Sequence, residues 1–240
     1  MTKNTATKPA GKAASKSGSN KPGLRPPARK SAVNVKALLL GAGVVLGFGL
    51  IAAVVLSDTA GTSSTHPDLA GKVTVTGDEL PLFDPKSTNQ GVGQVIPEVV
   101  GSDFTGTPLS ITNNGKPKIL IFLAHWCPHC QAEVPKIQAW IDQNGLPEGI
   151  EMISIATSNN RGRVNFPPSE WLAREHWAVP VILDDKDSSA LRAYGINQFP
   201  GFAIVGADGK IISRATGEGV LNLDAIVPNL QALVAQPAAS

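Results

Sequence analysis

The pentapeptide Trp126-Cys127-Pro128-His129-Cys130 holds both cysteines of the 240-residue chain. Two thiols at this spacing can bind a metal, form a fixed crosslink or exchange electrons. A structural zinc site needs four converging ligands. His125, Cys127, His129 and Cys130 supply four within six residues, but His125 would end a strand and His129 would point away from Cys130. No second ligand pair follows downstream. A crosslink closing so short a loop would constrain the unfolded chain little, because loop entropy grows with length. On a first helical turn, positions i and i+3 share one face, which suits a bond that opens and closes.

Electron exchange has a definite mechanism at such a place. A cysteine at a helix N-terminus lies in partial positive charge beside unpaired N–H groups, which favours its thiolate. In that reading Cys127 attacks a partner's disulfide, and Cys130 then attacks Cys127 and releases the reduced partner. In reverse, an oxidised Cys127–Cys130 bond is attacked by a substrate thiol. His129, next to Pro128 and just before Cys130, is expected to donate to the Cys127 thiolate or favour it electrostatically. A favoured thiolate makes the couple more oxidising.

The flanking sequence supplies the elements that such a site needs. The apolar run Ile119–Ala124 reads as a buried parallel strand leading into the motif. Val134, Ile137 and Ile141 follow at helical spacing, so Cys127 falls at a helix N-terminus, with Pro135 interrupting one backbone bond. "GIEMISIATS" and "VPVILDD" predict further strands. "PPSEWLAREHW" predicts a short helix capped by Ser169, and "DSSALRAYG" a helix capped by Asp187 or Ser188 and stopped by Gly195. "GFAIVGADGKIISRA" predicts a hairpin around Ala-Asp-Gly. "LNLDAIVPNLQALVA" closes the chain as an amphipathic helix broken or started near Pro228. Strands alternating with helices and ending in a hairpin predict an α/β domain with a mixed sheet flanked by helices.

Charge is distributed unevenly. Residues 1–36 carry nine Lys or Arg and no acidic residue, so the rest holds twelve basic against nineteen acidic residues. Positive charge confined to a Ser-, Pro- and Gly-rich tail argues against a nucleic-acid partner. Residues 37–56, "ALLLGAGVVLGFGLIAAVVL", carry no charge and would span about 30 Å as a helix, the thickness of a bilayer core. The run is longer than a signal-peptide core and lacks a good small-x-small cleavage site, so an uncleaved signal anchor is expected. The positive-inside rule then places 1–36, a basic disordered tail, in the cytoplasm and the acidic remainder outside. Residues 57–90 are polar and turn-rich, and read as a linker carrying a globular domain at 91–236. Of the tryptophans, Trp126 is placed to line the site, while Trp140, Trp171 and Trp177 read as packing. Arg161 and Arg163 lie on a loop that could touch substrate, and read first as solvated loop charges.

"GKPKILIFLAHWCPHCQAEVPKI" followed by "YGINQFPGFAIVGADGKI" resembles the membrane-anchored TlpA/ResA-like group of thioredoxin-like thiol–disulfide oxidoreductases, over roughly residues 91–235. The resemblance implies a thioredoxin-like fold behind a single transmembrane helix, with no cofactor. It implies that Cys127 is the exposed nucleophile and Cys130 the resolving cysteine. It makes Pro200 a cis-proline facing them, with the Phe199 backbone guiding extended substrates. Glu133 matches a glutamate that influences the titration of the cysteines. The implied partners are exported proteins with thiols or disulfides, and a membrane redox partner. Where thioredoxin buries an acid beneath the cysteines this chain has Ile121, which leaves Glu133, His125 or water to serve Cys130. Members of the group commonly act as reductants in cytochrome maturation, whereas Pro-His is the dipeptide of strongly oxidising relatives. The dipeptide favours an oxidant of exported proteins, with a reductant as the alternative. Related copper chaperones use two cysteines and a distant histidine, for which His176 is the one residue far enough along the chain.

Overall fold

The computed structural model describes residues 69–87 and 90–235. The basic stretch 1–36 and the apolar run 37–56 lie outside the described residues. Among the described residues no helix is long and apolar enough to cross a membrane.

The fold is organised around β4 (Lys118–Leu123), in which every residue is buried. Its odd-numbered side chains Ile119, Ile121 and Leu123 enter one core, and Leu120 and Phe122 enter a second core on the other face. That is the period-two consequence of a strand covered on both sides. β4 pairs in parallel with β5 (Glu151–Ala156), and β5 in parallel with β6 (Val181–Leu183). On its other edge β4 runs antiparallel to β7 (Gly201–Val205), which pairs antiparallel with β8 (Ile211–Thr216). The sheet order is therefore β6-β5-β4-β7-β8. Helix α1 (Pro128–Asn144) crosses from β4 to β5, and α2 (Pro168–Arg174) from β5 to β6. Helices α3 (Ser189–Ala193) and α4 (Leu223–Ala235) follow β6 and β8. This is the expected α/β, thioredoxin-like arrangement with a mixed sheet.

The first core is the one that bears on the site. Val134, Ile137 and Ile141 of α1 pack there with Trp171, Phe202, Leu223, Val227, Leu230 and both cysteines. The helix therefore holds the motif against the sheet by the apolar stripe read from its spacing.

Residues 57–90, expected as a linker, include folded structure. Strand β1 (Thr74–Thr76) pairs with β2 (Glu98–Ser102), which pairs with β3 (Pro108–Ile111), in a small antiparallel sheet. Gly71 donates to the Asp184 carbonyl, Leu80 to Ala193 and Phe83 to Gly195, each at 2.8 Å. Val73 and Val75 pack on the second core and Leu80 is buried in it. These apolar residues are too few for a periodic signal, yet they join Ala190, Leu191 and Ala193 of α3 in that core.

Helix caps also differ from expectation. Ser169 lies inside α2, whose N-cap is Pro167. Ser188 occupies the N-cap position of α3 in left-handed backbone and makes no side-chain cap bond. The N–H groups of Ala190 and Leu191 are instead taken by the Asp184 carboxylate, and that of Ser189 by Asp185, both at the end of β6. Asn222 Oδ1 accepts from Ala225 N–H at the start of α4, which runs through Pro228 without ending there.

Candidate active site

Cys127 is the N-cap of α1, with extended backbone, and Pro128 opens the helix where no N–H is needed. Cys130 lies in the first turn. Both are free thiols, and both are buried: Cys127 is 6% exposed and Cys130 fully enclosed. The expectation of an exposed Cys127 is corrected here. Phe199 covers the sulfur, and its carbonyl accepts a hydrogen bond from Cys127 Sγ at 3.6 Å. Burial pushes the Cys130 thiol far above the ordinary cysteine range, with neighbouring Cys127 and the Glu133 carboxylate adding in the same direction.

The Phe199–Pro200 peptide is cis. Pro200 is buried, and its carbonyl accepts from Gly217 N–H at 2.8 Å, tying the segment beside the cysteines to the loop after β8. That loop is also fastened to α1. Gly219 N–H donates to Glu133 Oε2 at 2.9 Å, and Glu218 receives Lys136 Nζ at 2.5 Å. Glu133 is 2% exposed, so it is a buried carboxylate rather than a solvated helix residue.

His129 does not reach Cys127. Its side chain is 66% exposed and turns to Glu218, with Nδ1 3.3 Å from Oε2. The reason is the paired carboxylate: Glu218 offers the imidazole an acceptor at the surface, while the buried Cys127 sulfur donates to the Phe199 carbonyl. His129, Lys136, Gln198, Phe199, Gly217 and Glu218 line a groove of about 410 Å³ beside the motif.

His125 has a different role from either zinc ligand or proton carrier. It is 1% exposed, and both ring nitrogens are engaged by the loop after β5. Nδ1 donates to the Val164 carbonyl at 2.7 Å, and Nε2 accepts from Asn160 N–H at 3.0 Å. That pair of bonds fixes one neutral tautomer. Burial holds the imidazole below its usual range, opposed by the Val164 carbonyl and reinforced by Arg163. A ring committed on both sides has no nitrogen left for Cys130.

Trp126 donates from Nε1 to the Ser158 carbonyl at 2.8 Å and meets the Phe199 ring edge-on, 5.9 Å between centroids. Arg163 lies over the same indole, its guanidinium carbon 4.7 Å from the ring centroid. Ile121, with cross-strand partner Phe202, fills the place beneath the cysteines with hydrocarbon. His176 is exposed in left-handed backbone just beyond α2. Among the described residues no three His, Cys, Asp or Glu side chains are grouped to hold a metal. The copper alternative therefore lacks its ligand set among those residues.

Sequence reasoning brought Trp126, Cys127, Pro128, Cys130, Glu133, Phe199 and Pro200 to one place, and the structure assembles them there. It named Arg163 but favoured a solvated loop charge there, and it missed Glu218 and the backbone of Gly217 and Gly219. The run "TGEGV" held the signal, an acidic residue between two turn-forming glycines directly before the last helix.

Residues 77–231 match the Redoxin family. The chain is 28% identical to the thiol-disulfide oxidoreductase ResA of Geobacillus thermodenitrificans over 136 residues, covering 56% of this chain and 75% of that protein. It is 24% identical to sporulation thiol-disulfide oxidoreductase A of Bacillus subtilis over 112 residues, covering 47% and 66% respectively. Among solved structures, the thioredoxin domain of a Bacteroides vulgatus thiol-disulfide oxidoreductase aligns with a TM-score of 0.48 at 21% identity, covering 61% of this chain and 99% of that one. The chain belongs to the Redoxin family, as a ResA/TlpA-like thiol–disulfide oxidoreductase.

Proposed function

We propose that the protein is a membrane-tethered reductant, which passes electrons from the Cys127/Cys130 dithiol to disulfides of proteins outside the cytoplasm. The observation that carries the direction is the placement of charge. A couple is strongly oxidising when its reduced form is specially stabilised. The cation expected to do this, His129, faces Glu218, and the charged group buried beside Cys130 is the carboxylate of Glu133. Both features remove support from a thiolate, and the Pro-His dipeptide then no longer argues for an oxidant.

In this reading the Cys127 sulfur attacks a disulfide of the partner. The partner's S–S bond breaks, a mixed disulfide to Cys127 forms, and the departing sulfur takes up the proton that Cys127 gives up. Cys130 then gives its proton to Glu133, directly or through water, and attacks Cys127. The mixed disulfide breaks, the departing partner sulfur takes up the proton that Cys130 gave to Glu133, the partner leaves with two thiols, and Cys127–Cys130 is left as a disulfide. Phe199 and Pro200 guide the extended partner segment, with Trp126 as a side wall. A membrane redox partner restores the dithiol. The uncharged run 37–56 and the basic residues before it support a signal anchor with 1–36 in the cytoplasm.

The test is trapping. Cys130→Ser lets the first attack proceed and blocks the second, so it accumulates disulfide-linked adducts that dithiothreitol releases. Cys127→Ser forms none. Equal trapping by the two variants would overturn the assignment of Cys127 as the attacking sulfur.

A further inference from the structure

The loop after β5 folds against Trp126, the neighbour of Cys127, and carries an exposed arginine, Arg163. Arg163 has a cation–π contact, and among the described residues no carboxylate pairs with it. Beside the site the Lys136 ammonium is engaged with Glu218, and the His129 imidazole faces the same carboxylate. Among the described residues Arg163 is thus a charge held in place on Trp126, the neighbour of Cys127, and still open to a partner.

The loop is built to hold it there. His125, buried beneath, takes Asn160 N–H and the Val164 carbonyl, and so clamps both ends of the turn. Within it, Asn160 accepts from Gly162 N–H through its side chain and from Arg163 N–H through its carbonyl. Ser158 anchors Trp126 through Nε1. An arginine stacked on a fixed ring has already lost much of the freedom that a charge pair would cost it. Beside it Val164 is 65% exposed, an apolar contact on the same pinned loop.

Outward from the sulfur come the Phe199 carbonyl, the touching Phe199 and Trp126 rings, and then the guanidinium. A segment that brings its own sulfur to Cys127 lays a neighbouring side chain along the indole and ends at Arg163. We propose that Arg163, stacked on Trp126, is a specificity-determining residue that reads a carboxylate side chain adjacent to the reacting cysteine of the partner protein. This rests on the disulfide-exchange reading of the site. Glu218, already paired with Lys136, is not a counter-ion of Arg163, which stays available for that carboxylate.

The experiment uses the full-length chain, reduced, in detergent. Its substrates are three synthetic disulfide-cyclised peptides that differ only in the residue beside one cysteine, which is Asp, Asn or Lys. Second-order rate constants come from acid-quenched chromatography. The Asp peptide is expected to react about three- to fivefold faster than the Asn peptide, the range of an exposed ion pair, and the Lys peptide more slowly still. The preference should shrink in high salt. Arg163→Ala should bring the Asp-to-Lys ratio close to unity, Arg163→Lys should retain part of it, and Arg163→Glu should invert it. Ratios rather than absolute rates decide the matter, because a merely structural effect would slow all three peptides alike. Equal rates with the three peptides in the unaltered chain, or a ratio unchanged by Arg163→Glu, would overturn the proposal and leave disulfide exchange standing. No exchange with any peptide would overturn both.

Discussion

Arg214 on β8 fastens the segment 81–90 to the domain, and its replacement gives a prediction that can be worked through. The guanidinium donates from Nη1 to the carbonyls of Pro81 at 2.7 Å and Tyr194 at 2.8 Å, and from Nη2 to Gln90 at 2.6 Å. It also lies 5.6 Å over the Phe83 ring, and the whole residue is 8% exposed. Arg214→Met keeps much of the stem's volume and removes the donors. Pro81 and Gln90 are exposed residues whose carbonyls can turn to water, whereas Tyr194 is buried and its carbonyl loses this charged donor. One stranded carbonyl costs about 1–3 kcal/mol, and two charged hydrogen bonds exchanged for water add roughly 1 kcal/mol more. The expected loss is therefore about 2–4 kcal/mol, or on the order of 5–15 °C in Tm for a domain of this size. Urea unfolding followed by tryptophan fluorescence measures the loss. Hydrogen exchange locates it, because the amides of Leu80 and Phe83, bonded to Ala193 and Gly195, should lose protection before those of β4. A shift below about 0.5 kcal/mol, the range of ordinary surface substitutions, with Leu80 and Phe83 still protected, would refute the view that Arg214 holds this segment.

Two further predictions concern the site. Glu133→Gln keeps an oxygen for Gly219 N–H and removes the charge that helps raise Cys130. The Cys130 thiol should titrate lower in that variant, read from its Cβ chemical shift against pH, and an unchanged or higher titration would exclude Glu133 as a partner in proton transfer. His125 resists protonation in the folded state because burial penalises its charge, while in the unfolded chain it titrates near 6.5. The unfolded state thus binds more protons below that pH, so the stability contributed is full above 6.5 and falls as pH drops towards the lowered folded value. His125→Leu should abolish this slope in melts between pH 7 and 5 and loosen the loop at Asn160 and Val164, at a cost of about 1–3 kcal/mol. A slope that survives in His125→Leu would assign the pH dependence elsewhere.

The parts legible in the sequence were those written as long apolar patterns. β4, α1 and the β7–β8 hairpin announce themselves through Ile119–Ala124, the Val134-Ile137-Ile141 stripe and the Ala-Asp-Gly turn, and these position the cysteines. The small sheet β1–β3 went unread because its strands are three to five residues long and carry few buried side chains. Local reading of helix starts looked for a cap beside the helix, but α3 takes its acceptors from Asp184 and Asp185, which belong to the preceding strand end. Long-range pairing hid the most. Nothing within ten residues of His125 indicates that its ring will hold Asn160 and Val164, nor does the polar neighbourhood of Arg214 indicate three carbonyls on distant segments. The expected contact of His129 with Cys127 met the opposite difficulty: the cysteine two positions away mattered less to the imidazole than Glu218, far along the chain.

The most direct test of the reducing assignment is the reduction potential of the Cys127–Cys130 couple, measured by equilibrating the full-length protein against thiol–disulfide buffers and quantifying both forms by alkylation. With His129 held by Glu218 and Glu133 buried beside Cys130, the couple should lie near thioredoxin's, at about −270 mV. A value near the oxidising extreme of this fold, about −120 mV, would contradict it and make the protein an oxidant of exported thiols.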